Sequence, residues 1–259
     1  MSNLVLRDYE QGISVLTINN PANYNAADER LFQELFEKVS ACINDANTRV
    51  VIITGAGKAF CAGGDLRRIC EADEPAEAVM EKMVDALSRV IRAIRGADKP
   101  FIAAINGVAA GAGMSIALAC DLRVASDKAK FRQAYTSSGL TPDGGWTLFA
   151  PALAGPAKAM EMALLDPVLD AGKLLSWGLV NQLCDPEDVM ETARKWAQMI
   201  AAGSATAIAS AKKMINANIY GNLEQVLEAE KEEMVAATAG HDGKEGIKAF
   251  IEKRVPHFK

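Results

Sequence analysis

A chain of 259 residues, half of them apolar, 24% charged and 6% aromatic, is long enough to bury a sizeable core and has the composition of a soluble globular protein. Its net charge of -5 argues against nucleic acid or an anionic membrane as the main partner, while leaving room for a local basic patch toward a phosphorylated ligand. Five scattered cysteines (Cys42, Cys61, Cys70, Cys120 and Cys184), odd in number and without a C-x-x-C pair, argue against a disulfide framework or a metal site and fit a reducing compartment.

The opening "MSNLVLRDYEQG" has no basic region followed by an apolar run, so no secretory signal is expected and a cytoplasmic location is. Two β-like runs, "LVLRDYE" and "ISVLTINN", flank a Gln11-Gly12 turn. In "ADERLFQELFEKVSACINDA" the apolar positions 31, 32, 35, 36, 39, 41 and 43 recur with a helical period. A buried strand follows at 50–53, then a helical stretch at 76–96 and a strand "FIAAI" at 101–105. The nearly apolar "FIAAINGVAAGAGMSIALAC" is broken by Asn106, glycines and Ser115, so it reads as strand, turn and buried helix rather than a membrane span. "DLRVAS" and "AKFRQA" are two further short strands. Beyond residue 145 the pattern is helical (146–153, 156–165, 170–176, 187–201, 204–218, 222–237 and 243–253), with "GLVNQLC" the one strand candidate. Strands alternating with helices predict an α/β core with parallel pairing, here placed at 1–195, followed by a helical region at 196–259.

Several enzyme classes fail on spacing. "GAGKAF" puts Phe60 where a dinucleotide fingerprint needs its third glycine, and Gly57-Lys58 is followed by Ala59 instead of the Ser or Thr of a phosphate-binding loop. The two histidines, His241 and His257, lie far out in the C-terminal part, and no G-x-S-x-G elbow exists. What remains is a pair of similar constructions, "FCAGGD" and "NGVAAGAGMS". Each places small residues after a buried strand where a helix can begin. Backbone N–H groups at a helix start lack intrahelical partners and sit at the positive end of the dipole. Two of them converging on one point would hold a developing oxyanion, each with a worth of roughly 3 kcal/mol in the transition state. Tight turns with close helix–strand packing would explain the same residues.

Taken together, "INNPANYNAAD", "AFCAGGDL", "KPFIAAINGVAAGAGMSIALACDLRVAS", "GLTPDGG", "DAGKLLSWGLVNQL" and "EGIKAFIEKRVPHF" resemble the enoyl-CoA hydratase/isomerase, or crotonase, superfamily over nearly the whole chain. The resemblance implies a ββα spiral core with a C-terminal helical trimerisation region, assembly as a homotrimer or hexamer, and acyl-CoA thioester substrates with no further cofactor. Carried over by position, the backbone N–H groups of Gly64 and Ala112 would form the oxyanion hole, with Gly111 keeping the second turn close to the ligand. Lys58, Ala59, Phe60 and Ala62 would flank the coenzyme A, and Phe250 and Lys253 would help hold its nucleotide. Ala112 departs from the glycine common at its position; its N–H remains, and its methyl group narrows the site.

Hydratases of this family carry a glutamate three residues after the second oxyanion donor and another about twenty residues later. Here those positions hold Ser115 and Tyr135. Adding water across a conjugated double bond needs a base for the water and an acid for the α-carbon, which paired carboxylates supply. Serine and tyrosine do so poorly, so efficient hydration is not expected. Asp143 in "GLTPDGG" has two readings: an N-cap for a helix starting near Trp146, or the proton shuttle that the family's isomerases place in such a segment. The second reading gives a Δ3 to Δ2 enoyl-CoA isomerase, with ring-derived acyl groups among its candidate substrates. The alternatives are a dehalogenase-like chemistry with Asp143 as nucleophile, which lacks the expected histidine between Ala62 and Ala112, and a non-catalytic acyl-CoA binder. Tyr135 either orients substrate or packs. Arg67, Arg68 and Arg132 fit a site or a solvated face equally, and Met80, Met83, Met114 and Trp146 fit a pocket wall or core.

Overall fold

The computed structural model describes residues 3–259. The elements run β1 (Val5–Glu10), β2 (Ile13–Ile18), α1 (Glu29–Asn44), β3 (Val50–Gly55), β4 (Ala59–Cys61), α2 (Leu66–Glu71), α3 (Ala76–Gly96), β5 (Phe101–Ile105), β6 (Val108–Ala110), α4 (Ala112–Ala119), β7 (Leu122–Ser126) and β8 (Lys130–Arg132). They continue with α5 (Trp146–Ala154), α6 (Pro156–Leu165), β9 (Leu169–Asp170), α7 (Ala171–Ser176), β10 (Gln182–Cys184), α8 (Val189–Ala201), α9 (Ala205–Ile219), α10 (Leu223–Ala239) and α11 (His241–Glu252).

Two sheets share the strands in a regular way. The larger has the order β1-β2-β3-β5-β7-β10, with β1 antiparallel to β2 and the rest parallel. The smaller has the order β4-β6-β8-β9, parallel from β4 to β8. Each turn of the chain therefore lays one strand in the large sheet and the next in the small one before a helical segment: β3 then β4, β5 then β6, β7 then β8. This is the spiral expected from the sequence. Its consequence for the site is direct: α2 and α4 both follow strands of the small sheet, so their first residues arrive side by side.

The pleat sorts the large sheet into two cores. On one face Val51, Ile53, Ala103 and Ile105 pack with α1, α3 and α4; on the other Val50, Ile52, Ile102 and Val124 meet Val189, Ala193 and Ala197 of α8. The division expected at 195/196 falls inside α8, which lies on the sheet. Burial on both faces explains why the parallel strands read as continuous apolar runs.

α9 is attached through buried charge. Lys212, 9% exposed, donates to the carbonyls of Ile94 and Lys99 (3.0 and 2.9 Å) and to Asp121 Oδ2 (2.8 Å). Arg95 donates to the Ala119 carbonyl (3.1 Å), to Asp121 Oδ1 (3.3 Å) and to Asn216, and its guanidinium lies 4.5 Å from the Tyr220 ring centroid. The Ile94 and Ala119 carbonyls belong to the C-terminal ends of α3 and α4, where cations are favoured.

β4, β6 and α2 lie in segments that the sequence presents as turns and polar loop. β4 and β6 are each three residues long, too short for periodicity to register, and they exist because they pair with one another.

Candidate active site

The two glycine-rich turns meet. Gly63 (φ 103°) and Gly111 (φ 51°) both occupy backbone conformations that side chains rarely adopt. The turns are in contact: a Cβ on Gly63 would lie 2.9 Å from the Ala110 carbonyl oxygen, too close to fit without movement. Gly113 lies against the Cys61 carbonyl oxygen, which any side chain there would overlap. The turn before α2 is held from outside. The Ala27 N–H donates to the Gly63 carbonyl, and the Asp65 N–H to the Ala27 carbonyl, both at 2.8 Å. Buried Asn25, in the stretch "PANYNAAD", uses its amide to bind the carbonyls of Ala56, Ala59 and Phe60. At the second turn the Gly111 N–H donates to the Arg132 carbonyl (3.2 Å), and the Gly111 carbonyl accepts from the Ser115 N–H (3.1 Å). Both turns thus commit the groups on either side of Gly64 and ahead of Ala112. Among the described residues the N–H groups of Gly64 and Ala112 have no protein acceptor, and both residues line a cavity of about 500 Å³.

The cavity wall is apolar where it is deep: Phe32, Leu66, Met80, Met83, Leu140 and Met234. Among the described residues, Asp143 is the only carboxylate that lines it. Asp143 is 6% exposed, and its carboxylate does not cap α5, whose N-cap is Gly145. The Tyr135 hydroxyl donates to Asp143 Oδ1 at 2.6 Å instead, and Ser115 Oγ donates to the Asp143 carbonyl at 2.8 Å. With these donors committed, the 3.2 Å contact between Ser115 Oγ and the Tyr135 hydroxyl carries no proton of its own. Oδ2 is left without a protein partner among the described residues. Burial is the largest influence on the acid: it lifts Asp143 to about 7, with the Tyr135 hydrogen bond pulling down and the charge of Glu230 pushing up. Tyr135 is itself driven well above the ordinary tyrosine value, by burial first and then by the Asp143 charge, so it stays a hydroxyl donor.

The residues singled out in the sequence divide. Gly64, Ala112, Asp143, Gly111, Ala62, Tyr135, Phe250 and Lys253 all line this one cavity. Lys58, Ala59 and Phe60 do not. Ala59 and Phe60 belong to β4, whose every residue is buried, and the Phe60 ring is part of the main core; Lys58 is exposed in the preceding turn. Met80 and Met83 form wall, whereas Met114 and Trp146 are core: the Trp146 indole N–H donates to Met114 Sδ at 3.4 Å. Arg132 lines the cavity and pairs with buried Asp166 at 3.0 Å, while Arg67 and Arg68 are exposed outside it. Glu230 and Met234 of α10, Phe32 of α1 and Leu140 carry no signal in the sequence that would set them apart from any helix or loop residue.

The geometry can therefore polarise a carbonyl with two backbone donors and move a proton with one carboxylate. Comparison with known proteins agrees in class. Residues 8–259 match the family described as enoyl-CoA hydratase/isomerase. The chain is 34% identical over 259 residues to the 1,2-epoxyphenylacetyl-CoA isomerase of Escherichia coli (strain K12), covering 100% of this chain and 99% of that one. It is 33% identical over 256 residues to the crotonyl-CoA hydratase of Syntrophomonas wolfei, covering 98% and 97%. Among solved structures, the enoyl-CoA hydratase from Mycobacterium avium subsp. paratuberculosis K-10 superposes with a TM-score of 0.90 at 31% identity, covering 99% of this chain and 98% of that one. The chain belongs to the enoyl-CoA hydratase/isomerase family and has the crotonase fold. Relatives of both reaction types stand at similar identity, so membership alone does not select between them.

Proposed function

We propose that this member of the family is an acyl-CoA isomerase that moves a carbon–carbon double bond from the Δ3 to the Δ2 position. The observation that carries the reading is the lone carboxylate, Asp143, in a cavity that also presents the free N–H groups of Gly64 and Ala112. With the thioester carbonyl against those two donors, Asp143 Oδ2 removes a proton from the α-carbon. The electron pair flows into the carbonyl to give a dienolate, whose oxygen the donors hold. The same carboxyl then returns a proton at the γ-carbon, and the double bond ends in conjugation with the thioester.

One carboxylate suffices because the proton leaves and returns on the same group. Hydration would require a second group to activate water, and the positions that could carry one hold Ser115 and Tyr135, whose hydroxyls are committed to Asp143. A value near 7 suits a proton shuttle, because the group is available as the base at neutral pH and is basic enough to accept a weakly acidic proton. Coenzyme A is part of the substrate in this scheme, and no cofactor enters it. Trimeric or hexameric assembly belongs to the same proposal, and light scattering of the purified protein measures it.

The test is incubation with a 3-enoyl-CoA in D2O, followed by mass spectrometry. Conversion to the 2-enoyl thioester without a water adduct is expected, with deuterium at the γ-carbon where Asp143 exchanges before returning its proton. Accumulation of a 3-hydroxyacyl-CoA, or undiminished turnover by Asp143→Asn, would overturn the proposal.

A further inference from the structure

A second buried carboxylate stands behind Asp143 and takes no part in the chemistry above. Glu230, 5% exposed on α10, accepts three hydrogen bonds from the first turn of α5. These come from the Gly145 N–H to Oε2 (2.6 Å), the Thr147 N–H to Oε1 (2.9 Å) and the Thr147 hydroxyl to Oε1 (2.6 Å). Gly145 has no side chain with which to cap the helix, and its φ of 79° gives the segment a backbone that few residues tolerate. Gly144, between Asp143 and Gly145, is likewise left-handed, with φ 65°. Two consecutive left-handed glycines make a turn with little stiffness of its own. What fixes it on one side is Ser115, through the Asp143 carbonyl, and on the other Glu230.

We infer that Glu230 is a positioning residue for Asp143: reaching across from α10, it caps α5, clamps the glycine turn that carries Asp143, and keeps a second negative charge beside the shuttle. This rests on the reading of Asp143 as the proton shuttle. Removal of a capping acceptor ordinarily costs stability alone. Here the cap lies two residues from a group whose placement decides whether it reaches the α-carbon, and a misplacement of about 1 Å can cost on the order of a hundredfold in rate.

The charges facing the pair are few. α5 has no ionisable residue, and α4 has none. On α10 and α3, Lys231 pairs outward with Glu228 and Asp85 (2.9 and 3.4 Å). On α11 Glu245 is engaged by Arg254, and at the cavity edge Arg132 is engaged by Asp166. Lys253, at the end of α11, is exposed. Tyr135 contributes a neutral hydroxyl. Among the described residues neither Asp143 nor Glu230 has a cationic partner, so no counter-ion offsets the Glu230 charge at Asp143. Burial pushes Glu230 up, and its three donors pull it back; the charge it retains pushes Asp143 up.

The experiment compares wild type, Glu230→Gln, Glu230→Asp and Asp143→Asn. Two readouts are used: the pH profile of kcat/KM for a 3-enoyl-CoA, and the titration of the Asp143 carboxyl by carbon NMR of aspartate-labelled protein, assigned with Asp143→Asn. Glu230→Gln is expected to lower kcat about tenfold or more with KM little changed. It is also expected to move both the acid limb and the NMR titration down, because the repelling charge is gone. Glu230→Asp keeps the charge and draws it back by one methylene; it is expected to lower kcat while leaving the titration near wild type, and it serves if the glutamine variant does not fold. Unchanged kcat and an unmoved Asp143 titration in the folded variants would overturn the inference. Full activity in Asp143→Asn would instead overturn the isomerase reading, and the NMR titration, which needs no substrate, would still report on Glu230.

Discussion

α5 touches two clusters of buried charge that are neutralised in opposite ways. At its N-terminus Asp143 and Glu230 are two acids with hydrogen-bond donors and no cation among the described residues. Along its side, Arg95 stands 5.9 Å from the Phe149 ring centroid and joins Lys212, Asp121 and Asn216. There each cation has a carboxylate oxygen and main-chain carbonyls within reach, and the cluster holds α9 to the core. The contrast separates charge that holds two helices together from charge that borders the cavity. The first is paired with opposite charge. The second is left unpaired, and burial lifts Asp143 to about 7, where it can change state.

Opposite effects of charge removal would sharpen this contrast most. Asp143→Asn is expected to lower isomerase kcat by about a thousandfold or more, as loss of an essential proton carrier does. The same variant is expected to be more stable than wild type at neutral pH. An acid whose value rises from 3.8 to about 7 on folding is comfortable in the native state only while protonated. Its favourable contribution is fully present below pH 3.8 and lost as pH climbs to about 7, so the wild type bears the whole cost above that point. Calorimetry at pH 8 should show a Tm raised by roughly a few degrees, shrinking toward zero near pH 4.

Lys212→Met should do the reverse. Asp121 and two carbonyls lose their shared donor, with a cost of about 3 kcal/mol or more. Denaturant unfolding measures it, while kcat of the folded enzyme should stay within about twofold of wild type. A large loss of kcat in folded Lys212→Met, or none in Asp143→Asn, would break the comparison.

The smallest of the three effects is expected for Tyr135→Phe. Without its hydrogen bond the Asp143 anion is less favoured, so the acid limb of kcat/KM should move up, not down, and kcat at pH 7 should fall about tenfold. A downward limb would mean that the hydroxyl has some other role. Set beside the downward limb expected of Glu230→Gln, this gives opposite displacements of one titration from two neighbours.

The sequence offered the candidate residues Gly64, Ala112, Ser115, Tyr135 and Asp143, but not the hydrogen bonds that join the side chains among them. "FCAGGD" and "NGVAAGAGMS" are contiguous, and their small residues announce close approach, so Gly64, Gly111 and Ala112 could be named from the order of residues and the family resemblance. The long helices were equally plain, with α3 and α6 falling on the expected residues because their apolar positions repeat over several turns. Asp143 could be singled out but its surroundings could not. Its partners Tyr135, Ser115 and Glu230 come from three separate segments, and Glu230 sits in a run of glutamates on α10 that mostly face solvent. Ala59 and Phe60, placed beside coenzyme A by the family resemblance, have side chains buried in β4 and away from the cavity, because the strand pairing that positions Gly64 also buries its predecessors.

The cavity wall draws on residues from Phe32 to Pro256, and its parts are unevenly spread along the chain. Gly64, Ala112 and Asp143 are made by residue 143, whereas Met234, Gly246, Phe250 and the residues that follow them complete the lining. At about 10 residues per second, roughly ten seconds of synthesis separate the first part of the lining from the last. During that interval the nascent chain contains Asp143 but not Glu230, whose three hydrogen bonds hold the turn beside it. Docking of α10 thus completes two things at once, the cavity wall through Met234 and the cap of α5 through Glu230.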